Sequence, residues 1–83
     1  MKVHVKYFAS IREAVGSGSE TVETQAQDVT ALRDALIARG DAGSEALARN
    51  RHVRVALNQT LVDESAPLSD GCEVAFFPPV TGG

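Results

Sequence analysis

The stretch Glu73-Val74-Ala75-Phe76-Phe77-Pro78-Pro79 decides how the rest of the chain is read. A run rich in apolar and aromatic residues follows the turn-forming Pro67-Leu68-Ser69-Asp70-Gly71, where glycine is free to take positive φ. Pro78 and Pro79 have no amide hydrogen to give a neighbouring strand, so a ladder that includes Phe77 must stop there. A last strand is therefore predicted over residues 73–77. Period-two alternation puts Val74 and Phe76 on one face and Phe77 on the other.

Working back, Val53, Val55 and Leu57 alternate with Arg54 and Ala56, and Asn58-Gln59 turns the chain into Thr60-Leu61-Val62, the pattern of a hairpin. Thr30 suits an N-cap. Leu32, Leu36 and Ile37 then recur at helical spacing with Ala31, Ala35 and Ala38 between them, which predicts the main helix, ending at Gly40. Residues 41–51 mix glycine, serine, alanine and charge, with one further helical turn expected over 45–48. At the start, Val3, Val5 and Tyr7 alternate with His4, Lys6 and Phe8 as a first strand. Ser10-Ile11-Arg12-Glu13 has the form of a capping box opening a short helix that Gly16 stops. Gly16-Ser17-Gly18-Ser19 has the length of a hairpin loop, and Glu20–Thr24 is read as a second strand pairing with the first.

Two strands, a helix, then two or three strands is the order of an α+β fold of the β-grasp (ubiquitin-like) kind: a mixed sheet of four to five strands packed on one main helix. The first and last strands can then lie side by side. Val3, Val5, Val55, Leu57, Val74 and Phe76 are the expected sheet half of the core. The domain is read as residues 1–77, with residues 78–83 as an extended tail.

A chain of 83 residues has room for one such domain. Eleven acidic against eight basic residues give a net charge of -3, which argues against nucleic acid or an anionic membrane and for a basic or mixed protein surface as partner. One cysteine, Cys72, excludes an internal disulfide, and no Cys/His spacing suggests a metal site. The opening residues alternate apolar with charged side chains instead of forming a signal peptide or span, so a cytoplasmic protein is expected.

Phe76-Phe77-Pro78-Pro79-Val80-Thr81-Gly82-Gly83 resembles the C-terminus of the small, sulfur-carrying subunit of molybdopterin synthase, the MoaD family. The resemblance extends through Asn58–Val62, Pro67-Leu68, Asp70-Gly71, residues 30–36, Arg12-Glu13 and Phe8-Ala9. It is weakest between residues 41 and 52. It implies a protein that is no enzyme on its own, the catalytic residues lying on the large subunit (MoaE type), with which it would form a heterotetramer. An E1-like adenylating enzyme (MoeB type) would use ATP to adenylate the Gly83 carboxylate. Conversion to a thiocarboxylate, 1-thioglycine at Gly83, would follow, and its sulfur would pass to the pterin precursor in the large subunit's active site. No permanently bound cofactor, metal, nucleic acid or membrane is implied. Phe8, Leu61 and Phe77 match the hydrophobic docking patch of that family, and counting by twos puts both phenylalanines outside the core.

The physics of the tail agrees. Two prolines favour a stiff extended exit, and six residues, Pro78, Pro79, Val80, Thr81, Gly82 and Gly83, reach roughly 20 Å. Terminal glycines let a backbone through a narrow channel with no Cβ in the way. The alternatives are a ubiquitin-like carrier for thiamin or cysteine synthesis, or a protein modifier conjugated through Gly83. Cys72 is expected to be a packing residue, and His4, His52, Ser10, Ser44 and Ser65 sit in no nucleophile motif. Arg49, Arg51 and Arg54 read as a solvated loop, and Asp63-Glu64 as a solvated acidic pair, the alternative for the acids being an arginine of the activating enzyme.

Overall fold

The computed structural model describes residues 1–79. Five strands, β1 (Lys2–Tyr7), β2 (Ser19–Glu23), β3 (Arg54–Leu57), β4 (Thr60–Val62) and β5 (Glu73–Phe77), form one mixed sheet in the order β2-β1-β5-β3-β4. Three helices, α1 (Ala9–Val15), α2 (Val29–Ala38) and α3 (Ala42–Ala46), complete the domain. β1 and β5 run parallel, with Val5 beside Val74 and Tyr7 beside Phe76, and every other neighbouring pair is antiparallel. Val3, Val5, Tyr7, Val55, Val74 and Phe76 point to one side, where Val29, Leu32 and Leu36 of α2, Ile11 of α1 and Leu47 close the core. Leu57 is only half-buried at the margin of this cluster.

The two helix starts differ from the sequence reading. α2 is capped by Asp28, whose carboxylate accepts from the Ala31 amide at 2.8 Å. Thr30 lies inside the first turn and gives its hydroxyl to the Glu64 carbonyl at 2.9 Å. Both residue types cap well. Asp28 takes the position because it forms a β-bridge with Pro67, which sets where the chain turns into the helix. In α1 the predicted capping box is absent: Phe8 is the N-cap, without a side-chain cap bond, and Ser10 is already helical. The Phe8 amide continues the ladder by donating to the Phe76 carbonyl at 3.1 Å. The strand therefore runs to the helix without a loop, and Ala9 makes the corner at φ 52°, a left-handed value that costs an L-residue about 1 kcal/mol. Gly16 ends α1 as expected, at φ 84°. β2 begins one residue earlier than predicted, and α3 covers 42–46 instead of 45–48, capped by the Asp41 carboxylate on the Gly43 amide at 3.1 Å. The Asn58-Gln59 turn has both residues at positive φ, 48° and 70°, the arrangement that matches strand twist in a tight hairpin.

Two ionic clusters tie the layers together. Arg33 is 4% exposed; its guanidinium donates to the carbonyls of Leu47 (2.7 Å), Ala48 (2.8 Å) and Arg51 (3.2 Å) and to the Glu64 carboxylate (2.7 Å). Glu64 also pairs with Arg49, so it is not the solvated acid read from sequence; two arginines of its own chain occupy it. In the second cluster Tyr7 donates its hydroxyl to Glu20 at 2.7 Å, and Arg39 holds both Glu20 oxygens at 2.8 and 3.0 Å. Burial, then the hydrogen bond to Glu20, pushes the Tyr7 phenol far above its ordinary range. Hydrogen bonding from Arg39, reinforced by Tyr7, holds the Glu20 carboxyl below the usual glutamate value.

Arg33→Met is expected to lower stability by about 3 kcal/mol in urea denaturation, because three carbonyls and a carboxylate lose their buried partner. Glu20 gives a pH signature. Its folded pKa is depressed, so its contribution is complete above the unfolded value of about 4.3 and is lost as the pH falls through the folded value. The melting temperature is expected to drop below about pH 4.3, and Glu20→Gln to lower it at neutral pH while flattening that drop.

Candidate functional site

The face of the sheet turned away from the helices can be laid out row by row from the strand register. Lys6, Ala75, Ala56 and Leu61 lie in one row across β1, β5, β3 and β4. In the next row, towards the tail, Phe77 sits opposite Arg54, and the Phe8 amide bonded to the Phe76 carbonyl places Phe8 alongside. Phe8 is 47% and Leu61 59% exposed, while Phe77 is half-buried. Phe8 and Phe77 thus occupy neighbouring register positions at the Phe77 end of the sheet. Leu61 stands on the edge strand, two strand spacings or roughly 10 Å from Ala75. Ala56 and Ala75 form a low floor between them. Ala75 is 6% exposed although it faces away from the core.

These two alanines were not picked out from sequence. Their parity with Arg54 and Phe77 was the available signal: small residues between large ones on the outer face leave a shallow apolar depression. Pro78 and Pro79 continue from β5, both half-buried, and Pro78 borders an open groove between α1 and α3 that Ile11, Ala46, Arg51 and His52 also line. Val80, Thr81, Gly82 and Gly83 lie outside the described residues.

The remaining candidates do not come together. Cys72 is buried in the core. His4 shares a 3.2 Å hydrogen bond with Thr21 on the outer face, Ser44 donates to the Asp41 carbonyl at 2.7 Å, and Ser65 donates to the Asp63 carboxylate. Among the described residues no group of three His, Cys, Asp or Glu side chains is placed to hold a metal ion, and no helix is long and apolar enough to cross a membrane. The three arginines of the expected basic loop separate: Arg49 pairs with Asp34 and Glu64, Arg51 reaches Glu45 at 3.8 Å, and Arg54 lies on the outer sheet face.

Parallel first and last strands at the centre of a five-stranded mixed sheet, a helix layer over one face, and a chain end leaving from β5 define a ubiquitin-like β-grasp protein. Within that class the chain belongs to the ThiS family, whose model matches residues 5–83. It is 46% identical over 81 residues to the molybdopterin synthase sulfur carrier subunit of Escherichia coli (strain K12), a match covering 98% of this chain and 99% of that one. Among solved structures it is similar to the protein–protein complex of subunits 1 and 2 of molybdopterin-converting factor from Helicobacter pylori 26695, with TM-score 0.69, 28% identity and full coverage of both chains. It is likewise similar to small archaeal modifier protein 1 of Haloferax volcanii, with TM-score 0.77, 26% identity, and coverage of 95% of this chain and 98% of that one.

The two faces of β5 and its neighbours should separate in a stability series. Phe76→Ala is expected to cost about 3–5 kcal/mol, as a fully buried ring does. Phe8→Ala and Leu61→Ala are expected to cost far less, within about 1 kcal/mol of the parent, since about half of each side chain is already exposed on the outer face. Urea midpoints of the three variants make the comparison.

Proposed function

We propose that this chain is a sulfur carrier for molybdopterin synthesis, the small non-catalytic subunit of a molybdopterin synthase. The observation that carries the reading is the end-to-end similarity, at 46% identity, to a subunit of that name, together with the family match that runs through Gly83. The working group is the Gly83 carboxylate. A carboxylate is a poor electrophile, so it first attacks the α-phosphate of ATP on an E1-like activating enzyme; pyrophosphate leaves and an acyl-adenylate forms. A reduced sulfur nucleophile then adds to the acyl carbon and AMP departs, leaving a thiocarboxylate. That sulfur is a soft nucleophile carried on a backbone with no Cβ at its last two positions, and water restores the carboxylate once the sulfur has gone to the pterin. Such a cycle belongs in the cytoplasm, where ATP and reduced thiols are at hand.

The depression bordered by Phe8, Phe77 and Leu61 is the docking surface for the large subunit, into whose active site Pro78, Pro79, Val80, Thr81 and Gly82 deliver Gly83. The two-subunit Helicobacter pylori complex supports a large-subunit partner. A second reading shares the first step: a lysine amine, in place of sulfur, takes the activated carboxylate, as the name of the Haloferax volcanii modifier protein suggests for that relative.

The test is intact-mass measurement after incubation with the activating enzyme, ATP and a sulfur source. Replacement of one oxygen by sulfur is expected, whereas conjugates without thiocarboxylate would favour the modifier reading. Deleting Gly83, or adding one alanine after it, moves the carboxylate by roughly 3.5 Å, against a tolerance of about 1 Å for attack on a phosphate. Both variants are expected to fold normally by circular dichroism and to lose thiocarboxylate formation by orders of magnitude, with Gly82→Ala milder because reach is kept. Normal activity without Gly83 would reject the mechanism.

A further inference from the structure

Resting on that reading, the register of the outer sheet face says something about the partner. Arg54 stands directly across from Phe77, where side chains on neighbouring strands are about 5 Å apart at Cβ. Four of the five other arginines, Arg33, Arg39, Arg49 and Arg51, have carboxylate partners within the chain, and the fifth, Arg12 on α1, lies beside Gly18. Lys6, at the far side of the same face, has Glu73 at 3.2 Å. Arg54 is exposed and forms no ion pair or side-chain hydrogen bond among the described residues. Continuing the β3–β4 register by one residue brings Asp63 opposite Arg54, yet no ion pair joins them: Asp63 turns its Oδ1 to Ser65, accepting from the amide at 2.8 Å and from the hydroxyl. The guanidinium is therefore left over on the face whose aromatic rings are the docking anchors.

In the free protein that arrangement costs nothing, because the cation is in water. Once a partner covers Phe77, its cross-strand neighbour loses solvent as well, and an unpaired guanidinium there would oppose binding. We propose that Arg54 is a specificity-determining residue of the docking face, and that the covering surface presents a carboxylate beside the apolar socket that receives Phe77. A carboxylate fits better than a neutral acceptor because the planar guanidinium can give it two parallel hydrogen bonds. The net charge of -3 makes this local cation the more telling, since a partner matched only to overall charge would be basic and would repel it.

The experiment measures association and dissociation rates of the full chain with the large synthase subunit at low and high salt, for the parent, Arg54→Gln, Arg54→Glu and, as a reference, Phe77→Ala. Urea midpoints confirm that each variant is folded. Arg54→Glu is expected to slow association at low salt by roughly tenfold or more, Arg54→Gln by less, and both differences to shrink as salt screens the pair. Phe77→Ala is expected to act on dissociation with little salt dependence. Reversing the facing carboxylate of the large subunit to lysine should restore binding to Arg54→Glu. Association of Arg54→Glu within twofold of the parent, or a deficit unchanged by salt, would overturn the proposal while leaving the carrier function intact. Failure of the folded parent chain to bind the large subunit would overturn the function itself, and this proposal with it.

Discussion

Everything in this domain depends on the parallel pairing of β1 with β5, which brings the two ends of the sequence together inside the sheet. Parallel neighbours need a crossover connection, and here nearly the whole described chain supplies it, so the helices and the β3–β4 hairpin all lie within the loop that this pairing closes. The consequence is mechanical. A segment following an edge strand would start from the least constrained part of a sheet, whereas Pro78 follows a strand paired on both sides and backed by Phe76, which is fully buried. Pro78 and Pro79 cannot extend the ladder, so where the chain leaves the sheet is set by where β5 must stop.

The strands were legible because period two is a strong signal wherever one face is buried: Val3, Val5, Tyr7, Val74 and Phe76 were placed on the core side, and they are there. The β3–β4 hairpin and the Gly16 stop followed from local turn chemistry. Helix starts were less legible, since Asp28 and Thr30 both belong to the capping residue types, and Asp28, the better cap of the two, is also the one placed by the bridge to Pro67. The Ser10 capping box failed because the Phe8 amide was already committed to Phe76, a contact between residues 68 positions apart that no local pattern reports.

Of the candidate site, what parity could reach was the side of the sheet: Phe8 and Phe77 take neighbouring positions on the outer face, with Leu61 exposed on the edge strand of the same face. The ion pairs were not readable. Arg33 sits on the helix among residues of ordinary polarity, and nothing in its neighbours marks it as buried; its role is defined by three carbonyls of the loop after α3. The segment from 41 to 52 looked formless for the same reason: a buried guanidinium from another element holds its carbonyls, and its own anchors, Leu47 in the core and Arg49 on Asp34 and Glu64, are spaced too irregularly to read as a pattern.

The alternation of β5 also explains how one short strand can serve folding and recognition without conflict. Phe76 and Phe77 are chemically identical neighbours, yet one is sealed among Val5, Val55 and Tyr7 and the other is turned to the outer face beside Arg54. A shift of one residue in register would exchange them, burying Glu73 and Ala75 in the core and exposing Val74 and Phe76. The loss of apolar burial from such a slip is several kcal/mol on transfer values of about 25 cal/mol per Å², so the core residues alone hold the register. Phe77, Ala75, Ala56 and Arg54 are thereby relieved of any duty in specifying the fold. The side chains of the outer face are therefore free of the packing demands of the core, and the core face keeps that surface, with Pro78 following it, in a fixed place.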